Sequence, residues 1–412
     1  MNDSTVIVGA GQAGAEVAAA LRQRGYQGSI TLIGDEAHPP YRRPPLSKAF
    51  LAGEQEVDAL YLRPQAAYAA AAIDLRLGTR AAAIDRAGRR VLLDGGESVA
   101  YTRLVLATGG RARRLDVPGW DHPNVRLLRS IADVQGIRER FKPGARLAVI
   151  GGGYIGLEAA AVAVGRGMRV TVLEAAPRLL ARVASEPISQ RYAELHRAHG
   201  VEVRMGCGVE RIGGGAETPA VDCADGGGLK ADVIVAGVGL VPNTELAAAA
   251  GLDIGNGVRV DGLCRSSDPA IFACGDCAEH HNAFLGHRVR LESVQNATEQ
   301  GRAVAAAICG GGQPYNPVPW FWSDQYDFKL QMVGFARDYQ RVAARGSIAG
   351  RSFIIFYLRH GAVIAADAVN RPQDFLFAKQ LVARGARVDP ERLEDEKLPL
   401  RQLADAAREK TG

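Results

Sequence analysis

Cysteine and lysine are scarce in this 412-residue chain, and both are unevenly distributed. The first half contains no cysteine, and the six that are present follow at positions 207, 223, 264, 274, 277 and 309. This distribution does not resemble the disulfide framework of a small secreted protein, so reduced thiols are expected. Only seven of the 50 basic residues are lysine, and a lysine inside a motif is therefore noticeable.

Long apolar runs are also missing. The longest, such as residues 246–250 and 303–309, fall well short of the roughly 18 residues that a membrane-spanning helix requires. The N-terminus reaches a strand-like run at residues 5–8 without the basic region and apolar stretch of a signal peptide. We therefore expect a cytoplasmic protein with no membrane span.

A strong charge of one sign is absent too. The net charge of +5 is too mild to indicate nucleic-acid binding, although it suits an acidic protein partner. His280, His281 and His287 have no further ligands at metal-binding spacing, so no metal site is expected. With 47% hydrophobic residues, the composition is that of a globular protein. At about 100 to 200 residues per domain, the length suggests two to four domains.

Glycine, in contrast, is abundant, with 49 residues, and it forms one pattern twice. An apolar strand is followed by G-x-G-x-x-G, then by a helix and a second strand. The first copy occupies residues 5–33 and the second residues 146–174. The glycines are Gly9, Gly11 and Gly14 in the first copy and Gly151, Gly153 and Gly156 in the second.

Each glycine of this pattern has a physical role. The first allows a tight turn, the second lets the backbone approach a pyrophosphate, and the third lets the helix pack on the strand. The phosphates then lie at the helix N-terminus, where free N–H groups and the helix dipole favour negative charge. Because both copies stand between a strand and a helix, they predict two bound dinucleotides.

The acid at the end of the second strand indicates which nucleotide each copy binds, because it holds the adenosine ribose. Glu174 is followed by two alanines, so no adjacent basic residue would accept a 2′-phosphate, and NADH is favoured over NADPH. In the first copy the acids come later. Asp35 or Glu36 could reach the ribose, and Asp35 is the preferred interpretation. The alternative for Glu174 is a solvated loop acid.

Three further turns have the pattern of nucleotide-binding domains. Residues 104–110 and 233–239 are buried strands that end in glycine-rich turns containing Thr108, Gly109 and Gly239. Residues 271–276 bring Asp276 to a helix N-terminus, where its carboxylate could bind a flavin ribityl hydroxyl or cap the helix. Cys274 and Cys277 have C-x-x-C spacing. They belong to this same turn, so a redox disulfide is not expected.

With these motifs the chain resembles the two-dinucleotide flavoprotein reductases of the pyridine nucleotide-disulfide oxidoreductase superfamily, in particular the NADH-dependent ferredoxin reductases of bacterial oxygenase systems. The resemblance runs along essentially the whole chain. It implies FAD at the first glycine motif and NADH at the second. Its most specific segments are residues 43–48 (RPPLSK), 151–158 (GGGYIGLE), 275–276 (GD), 292–294 (ESV) and 319–325 (PWFWSDQ).

The resemblance also implies roles for individual residues. Lys48 would lie near flavin N5, where a cation stabilises the negative charge of reduced flavin. Glu158 would pair with Lys48 and border the nicotinamide pocket, and Trp322 would lie close to the isoalloxazine, with core packing as the alternative. Further FAD contacts would come from Ala13, Arg43, Ala81, Arg129, Asp276 and Val294, and Tyr154 and Ile155 would join the second glycine motif in binding NADH.

The predicted architecture is α/β, with two Rossmann-like doubly wound domains and a smaller C-terminal α+β domain. The FAD-binding domain would comprise residues 1–112 and 245–320, the NAD-binding domain residues 113–244, and the C-terminal domain residues 321–412. A chain of this kind is expected to be a monomer or a weak dimer.

The resemblance implies hydride transfer from nicotinamide C4 to flavin N5. Two single-electron transfers to a [2Fe-2S] ferredoxin would follow, and that ferredoxin would serve a cytochrome P450 or a ring-hydroxylating dioxygenase. The acidic ferredoxin would dock near Trp322, Arg302 and Arg401. The alternatives are a rubredoxin reductase or NADH oxidase, and an interaction flavoprotein resembling apoptosis-inducing factor.

Overall fold

The computed structural model describes residues 3–215 and 218–409, and the chain divides into two compact units. Unit 1 contains Met1–Arg42, Val57–Arg111 and Leu240–Pro319. Unit 2 contains Arg43–Glu56, Ala112–Gly239 and Trp320–Gly412. The segment Arg43–Glu56 therefore packs with unit 2, although the sequence on both sides of it belongs to unit 1.

Unit 1 is built on a parallel five-stranded sheet in the order β19-β7-β1-β2-β3. These strands are β1 (Ser4–Val8), β2 (Ser29–Ile33), β3 (Ile73–Arg76), β7 (Arg103–Leu106) and β19 (Ile271–Ala273). Ile7 packs on one face of the sheet and Val6 on the other, in two separate apolar clusters. A strand buried on both faces needs apolar residues at successive positions, which explains the continuous apolar run of β1.

Helices α1 (Gln12–Gln23) and α7 (Val294–Ile308) pack together on one face of this sheet. The other face is covered in part by an antiparallel sheet of β4 (Ala81–Asp85), β5 (Arg90–Leu93) and β6 (Ser98–Ala100). The remaining elements of unit 1 are α2 (Gln65–Ala70), α6 (Glu245–Ala249), β18 (Val258–Val260), β20 (Ala278–Asn282) and β21 (His287–Val289), with 3-10 helices at Val57–Leu60 and Gly275–Cys277. Two short strands, β8 (Gly110–Ala112) and β17 (Leu240–Pro242), pair where the chain leaves and re-enters the unit.

Unit 2 contains a second parallel five-stranded sheet, in the order β12-β11-β10-β16-β9. Its strands are β9 (Val125–Leu127), β10 (Arg146–Ile150), β11 (Arg169–Glu174), β12 (Glu202–Met205) and β16 (Val233–Ala236). Its helices are α3 (Ile131–Arg138), α4 (Tyr154–Gly165) and α5 (Glu186–Ala198), and an antiparallel sheet consists of β13 (Val209–Gly215), β14 (Thr218–Cys223) and β15 (Gly228–Lys230). The strand order matches that of unit 1 when β10 is placed on β1.

The C-terminal part of unit 2 is an antiparallel sheet in the order β22-β23-β26-β25-β24. Helices follow the last strand of this sheet in the sequence. The strands are β22 (Trp320–Gln325), β23 (Phe328–Gly334), β24 (Arg341–Arg345), β25 (Phe353–Arg359) and β26 (Ala362–Val369), and the helices are α8 (Pro372–Ala383), α9 (Pro390–Glu394) and α10 (Leu400–Glu409). The predicted fold class, two Rossmann-like parallel sheets and a smaller α+β part, is confirmed.

Two local expectations differ from the structure. The sequence pattern places the first helix after the third glycine of the motif, at residues 15–24, whereas helix α1 begins at Gln12, directly after the second glycine. Asp276 does not stand at the N-terminus of a long helix: it lies inside the one-turn 3-10 helix Gly275–Cys277, and strand β20 follows at once. None of the helices described in residues 3–215 and 218–409 combines the length and apolar character needed to span a bilayer.

Candidate active site

The first glycine turn of unit 1 has the geometry that a pyrophosphate requires. Gly9 has φ +113°, and a Cβ there would lie 2.1 Å from the carbonyl oxygen of Ala107. A Cβ at Gly14 would lie 2.0 Å from the oxygen of Gly9. A Cβ at Gly11, in contrast, would meet no described atom within 4 Å. No described side chain caps α1 either, so its N-terminal N–H groups are accessible to a ligand. The turn therefore fits a bound dinucleotide phosphate.

The second glycine turn, in unit 2, repeats this geometry. Gly151 has φ +101°, and its Cβ would lie 2.6 Å from the oxygen of Gly237. A Cβ at Gly156 would lie 2.3 Å from the oxygen of Gly151, whereas one at Gly153 would have only that Gly237 oxygen near it, at 3.8 Å. At the start of α4, Ile155 is 44% exposed. The second turn therefore fits a second dinucleotide.

The predicted ribose acids differ between the two turns. The Glu174 carboxylate accepts hydrogen bonds from the backbone N–H groups of Gly152 and Ala176, both at 2.7 Å. These bonds hold it beside the second glycine turn. Arg178, the next basic residue in the sequence, donates to the backbone oxygens of Ala181 and Ala184 and so is engaged within its own loop.

In unit 1 the corresponding strand β2 is followed by Gly34, not by an acid. A Cβ at Gly34 would lie 2.5 Å from the Cβ of Ala10, so no side chain fits there. Asp35 is exposed, and the half-buried Glu36 accepts a hydrogen bond from the Tyr41 hydroxyl at 2.6 Å. The choice between these two acids stays a prediction.

Lys48 and Glu158 form the expected pair inside unit 2, with the Lys48 Nζ 2.8 Å from the Glu158 Oε2. The 3-10 helix Pro44–Ser47 presents the lysine, and α4 presents the glutamate. Glu158 is only 4% exposed and Lys48 22%. Both residues line a pocket of about 520 Å³, together with Arg166, Asp324 and Tyr326. An ion pair with one member buried and one facing an open pocket keeps a positive charge available to a bound group.

Three polar side chains to which the sequence analysis gave no role are also connected to Glu158, two of them directly and the third through Ser323. The Ser47 hydroxyl donates to its Oε2 at 2.5 Å, and the Ser323 hydroxyl donates to its Oε1 at 2.7 Å. The Gln325 side-chain amide lies 3.1 Å from the Ser323 oxygen. A buried charge must be compensated by hydrogen bonds or an opposite charge. Because the residues next to Glu158 in α4 are apolar, the sequence already indicated that its polar partners come from other segments of the chain.

Strand β22 explains why Trp322 is not among these partners. Successive side chains of a strand point to opposite faces. Ser323 contacts Glu158, and Phe321 contacts Tyr154 one helical turn earlier, with ring centroids 5.0 Å apart. Trp322 lies on the other face of the strand, half exposed, with its ring 5.6 Å from that of Trp320. The structure thus brings Lys48 and Glu158 together, whereas Trp322 lies on the face of β22 opposite to the one that contacts Glu158.

The remaining predicted cofactor contacts fall into two groups by unit. In unit 2, the Arg43 guanidinium donates to the backbone oxygen of Arg129 at 2.5 Å. In unit 1, the turn at Thr108 and Gly109 is fixed by Asn243, whose amide donates to the oxygen of Thr108 while the Thr108 hydroxyl donates to the oxygen of Asn243. Ala13 is buried at the start of α1. The other predicted positions are partly exposed: Ala81, Asp276 and Val294 in unit 1, and Gly239 in unit 2.

The cations considered for ferredoxin docking have different surroundings. In unit 1, Arg302 on α7 is 63% exposed and pairs with Glu16 on α1 at 2.6 Å. In unit 2, Arg401 lies on α10 and reaches Asp405 at 3.6 Å. Sequence reasoning missed Lys379, which lies over the Trp320 ring at 5.0 Å from its centroid.

The cysteines of the C-x-x-C spacing are buried and free. Burial raises the pKa of both thiols, Cys274 and Cys277, and a raised pKa disfavours the reactive thiolate. Elsewhere, Cys207, Cys223 and Asp225 place three possible ligand atoms within 4.8 Å of one another. Burial raises the pKa of Cys223 to about 12, and the expectation of no metal stays a prediction.

Comparison with known proteins extends the geometric argument to the whole chain. Residues 3–301 match the family model described as pyridine nucleotide-disulphide oxidoreductase, and residues 320–404 match the model described as reductase C-terminal. Putidaredoxin reductase CamA of Pseudomonas putida is 47% identical, covering 99% of this chain and 98% of that protein. The 5,5′-dehydrodivanillate O-demethylase ferredoxin reductase subunit of Sphingobium sp. is 45% identical, covering 97% and 98%.

Among solved structures, the covalent putidaredoxin reductase–putidaredoxin complex matches with a TM-score of 0.95 and 46% identity, over 99% of both chains. The two open glycine turns, the second parallel sheet and the antiparallel C-terminal sheet are thus the parts of one known architecture, and the chain belongs to the pyridine nucleotide-disulphide oxidoreductase family.

Proposed function

We propose that the protein is an NADH-dependent ferredoxin reductase that carries FAD. Electrons pass from NADH through FAD to a [2Fe-2S] ferredoxin, which serves a cytochrome P450 or a ring-hydroxylating dioxygenase. The Lys48–Glu158 pair carries this proposal, because a cation held beside the second nucleotide turn can stabilise the negative charge of a reduced flavin. The relatives named as ferredoxin reductases, and the solved complex of one of them with its ferredoxin, support it.

The two glycine turns hold the two cofactors. The turn at Gly9, Gly11 and Gly14 takes the FAD pyrophosphate, and the turn at Gly151, Gly153 and Gly156 takes that of NADH. Glu174 binds the adenosine ribose and would repel a 2′-phosphate, so NADH is preferred over NADPH. The FAD-binding domain comprises residues 1–112 and 245–320, the NAD-binding domain residues 113–244 and the C-terminal domain residues 321–412.

The protein's part in the reaction is positioning and electrostatics. When bound, FAD supplies a two-electron acceptor that can give up its electrons singly. The Lys48 ammonium would lie near N5 of the bound flavin and would stabilise negative charge on the reduced ring. Glu158 fixes the place of that ammonium and balances its charge. For each NADH oxidised, two ferredoxins are reduced and one proton is released.

An acidic ferredoxin docks on the face of β22 that carries Trp322. Lys379 adds positive charge beside Trp320 on that face, and Leu376, one turn away on α8, is 56% exposed. Basic groups around an apolar centre suit a small acidic partner, since charge steers the encounter and the apolar contact is buried. Arg302 and Arg401 contribute further charge to ferredoxin binding. A cytoplasmic location and a monomer or weak dimer stay predictions.

The test is reduction of the flavin by NADH without oxygen, followed by assays of electron transfer to each acceptor in air. NADH should bleach the flavin absorbance rapidly, and cytochrome c should be reduced quickly only when a [2Fe-2S] ferredoxin is added. Faster transfer to rubredoxin would favour a rubredoxin reductase. Rapid consumption of oxygen without any carrier would favour an NADH oxidase, and slow flavin reduction with a long-lived NADH complex would favour an interaction flavoprotein.

A further inference from the structure

A buried chain of polar side chains continues beyond Glu158 through unit 2. Its members are Ser323 and Gln325 on β22, His196 on α5 and Tyr326 in the turn that follows β22. The Gln325 Oε1 lies 2.8 Å from the His196 Nε2, and the Tyr326 hydroxyl lies 3.2 Å from the His196 Nδ1. Ser323, Gln325 and His196 are all at most 2% exposed, so their polar groups depend on one another.

The direction of every hydrogen bond in this chain follows from the carboxylate. An ionised carboxylate only accepts, so the single Ser323 proton is donated to Glu158. The Ser323 oxygen must then accept from Gln325, which turns the amide nitrogen toward Ser323 and the amide oxygen toward His196. His196 must therefore carry its proton on Nε2 and accept the Tyr326 proton at Nδ1.

The imidazole can keep this role over a wide pH range. Burial lowers the pKa of His196 to about 4, with a smaller contribution from the neighbouring His199. Gln325 and Tyr326 are the polar groups that bond its two nitrogens. His199 stacks on the Tyr326 ring, with centroids 3.8 Å apart. In this chain of hydrogen bonds the imidazole must donate from one ring nitrogen and accept at the other, and only the neutral form of histidine can do both.

We propose that Gln325 and His196 are positioning residues for the Lys48–Glu158 pair: donors aligned from Tyr326 through His196, Gln325 and Ser323 hold the Glu158 carboxylate in one orientation and thereby fix the Lys48 ammonium. The proposal rests on the proposed function for the reaction that the pair serves. The direction of the chain is a property of the folded protein, and it can be measured without any turnover.

The first experiment determines the tautomer of His196 in the oxidised, FAD-loaded protein by NMR with ¹⁵N-labelled histidine. The His196 signals are identified by their loss in His196→Phe. The Nε2–H tautomer should persist between about pH 5.5 and 8. Ser323→Ala should shift the tautomer of His196, although the two side chains do not touch, because the Gln325 amide becomes free to turn. A proton on Nδ1 in the wild type, or no change in Ser323→Ala, would overturn the proposal.

The second experiment measures the rate of flavin reduction by NADH and the flavin midpoint potential in three variants. We expect the rate to fall about tenfold in Ser323→Ala, about fivefold in Gln325→Leu and less than twofold in Tyr326→Phe, with little change in the KM for NADH. The midpoint potential should fall in the same order, since a less well-held cation stabilises reduced flavin less.

Ser189→Ala is the matched control, because Ser189 is an equally buried hydroxyl that donates to the backbone oxygen of Leu179 and has no connection to Glu158. Its rate and potential should equal those of the wild type. If it slows reduction as much as Ser323→Ala, the effect is general destabilisation and the positioning role is wrong. If NADH fails to reduce the wild-type flavin, the proposed function fails, and the tautomer measurement still decides the direction of the chain.

Discussion

The two units place a glutamate at the same position of the same motif and surround it differently. Glu16 and Glu158 each stand two residues after the last glycine of G-x-G-x-x-G. Glu16 pairs with Arg302, a cation that is 63% exposed. Glu158 pairs with Lys48 and also accepts from Ser47 and Ser323, away from water.

This difference shows how one backbone pattern supports two tasks. An exposed ion pair is weak, with about 0 to 1 kcal/mol between its members, so Arg302 can exchange Glu16 for an acidic partner at little cost. A buried carboxylate with three donors is hard to rearrange, and it holds its lysine in one place. The first glutamate therefore suits a docking surface, whereas the second suits chemistry.

The largest expected effect comes from filling the open position of each glycine turn. Gly11→Val should give a folded protein without FAD, because the new side chain has space in the protein but occupies that of the pyrophosphate. Gly153→Val should keep its yellow colour and be reduced by dithionite but not by NADH. Absorbance at 450 nm measures the bound FAD and its reduction, and circular dichroism shows whether each variant is folded.

Gly136→Ala is the control for these valine variants, since a Cβ at that helical glycine would also meet no described atom within 4 Å. It should bind both cofactors normally. Loss of FAD in Gly153→Val with retention in Gly11→Val would reverse the assignment of the two turns.

The next effect concerns the two glutamates themselves. Glu158→Gln should slow flavin reduction by NADH about 10- to 100-fold, because Lys48 loses the carboxylate that holds it in place while the shape of the side chain is kept. Glu16→Gln should change this rate less than twofold. Stopped-flow absorbance measures both rates. Equal rates for the two variants would show that burial of the pair is unimportant.

The acids predicted to bind ribose, Glu174 and Asp35, allow a third comparison of the two glycine turns. Glu174→Ala combined with Ala175→Arg should narrow the preference for NADH over NADPH by roughly tenfold or more in kcat/KM, because a repelling charge is replaced by an attracting one. Asp35→Ala should leave this preference unchanged, since unit 1 holds the other cofactor. A wild-type enzyme that uses both coenzymes equally would contradict the role of Glu174.

A smaller effect is expected at the docking face. Arg302→Glu and Lys379→Glu should each raise the KM for ferredoxin about 3- to 10-fold at low ionic strength, and the difference from wild type should fade as salt screens the charges. Glu16→Gln should lower this KM slightly by releasing Arg302. Ferricyanide reduction, which needs no docking, should stay the same in all three. Unchanged ferredoxin kinetics would place the docking face elsewhere.

Each unit also contains one buried histidine bonded to a glutamine, His196 with Gln325 and His280 with Gln300. Burial lowers the pKa of both from 6.5 to about 4. The unfolded chain therefore binds more protons between these pH values, and the free energy of unfolding decreases as pH falls from about 6.5 to 4.

The loss should amount to about 3 kcal/mol for each histidine over the whole interval. Chemical denaturation between pH 4.5 and 7 should show the slope, and His280→Asn should reduce it by about one proton. His281→Asn, at the exposed neighbour, should not. An identical slope in all three proteins would mean that these imidazoles titrate normally when folded.

Sequence patterns were sufficient for the parts of the molecule that depend on local order. Strand, glycine turn and helix follow one another in the chain, so both parallel sheets and the end of β11 could be predicted. The hydroxyl partners of Glu158 could not be derived from spacing, because Ser47 and Ser323 are separated from it by 111 and 165 residues. Asp276 was misplaced for a similar reason: an acid after a strand and a glycine precedes a 3-10 turn as readily as a helix.

The order in which the chain enters the two units has a consequence for its synthesis. The polypeptide passes between unit 1 and unit 2 after residues 42, 56, 111, 239 and 319. Ser47, Lys48 and Glu158 are therefore made long before Ser323 leaves the ribosome. Until β22 emerges, the Glu158 carboxylate has no hydroxyl at its Oε1 and must stay hydrated, so the region around α4 can close only after β22 has been made. A nascent chain that stops before β22 would leave this carboxylate to be solvated by water in place of the Ser323 hydroxyl.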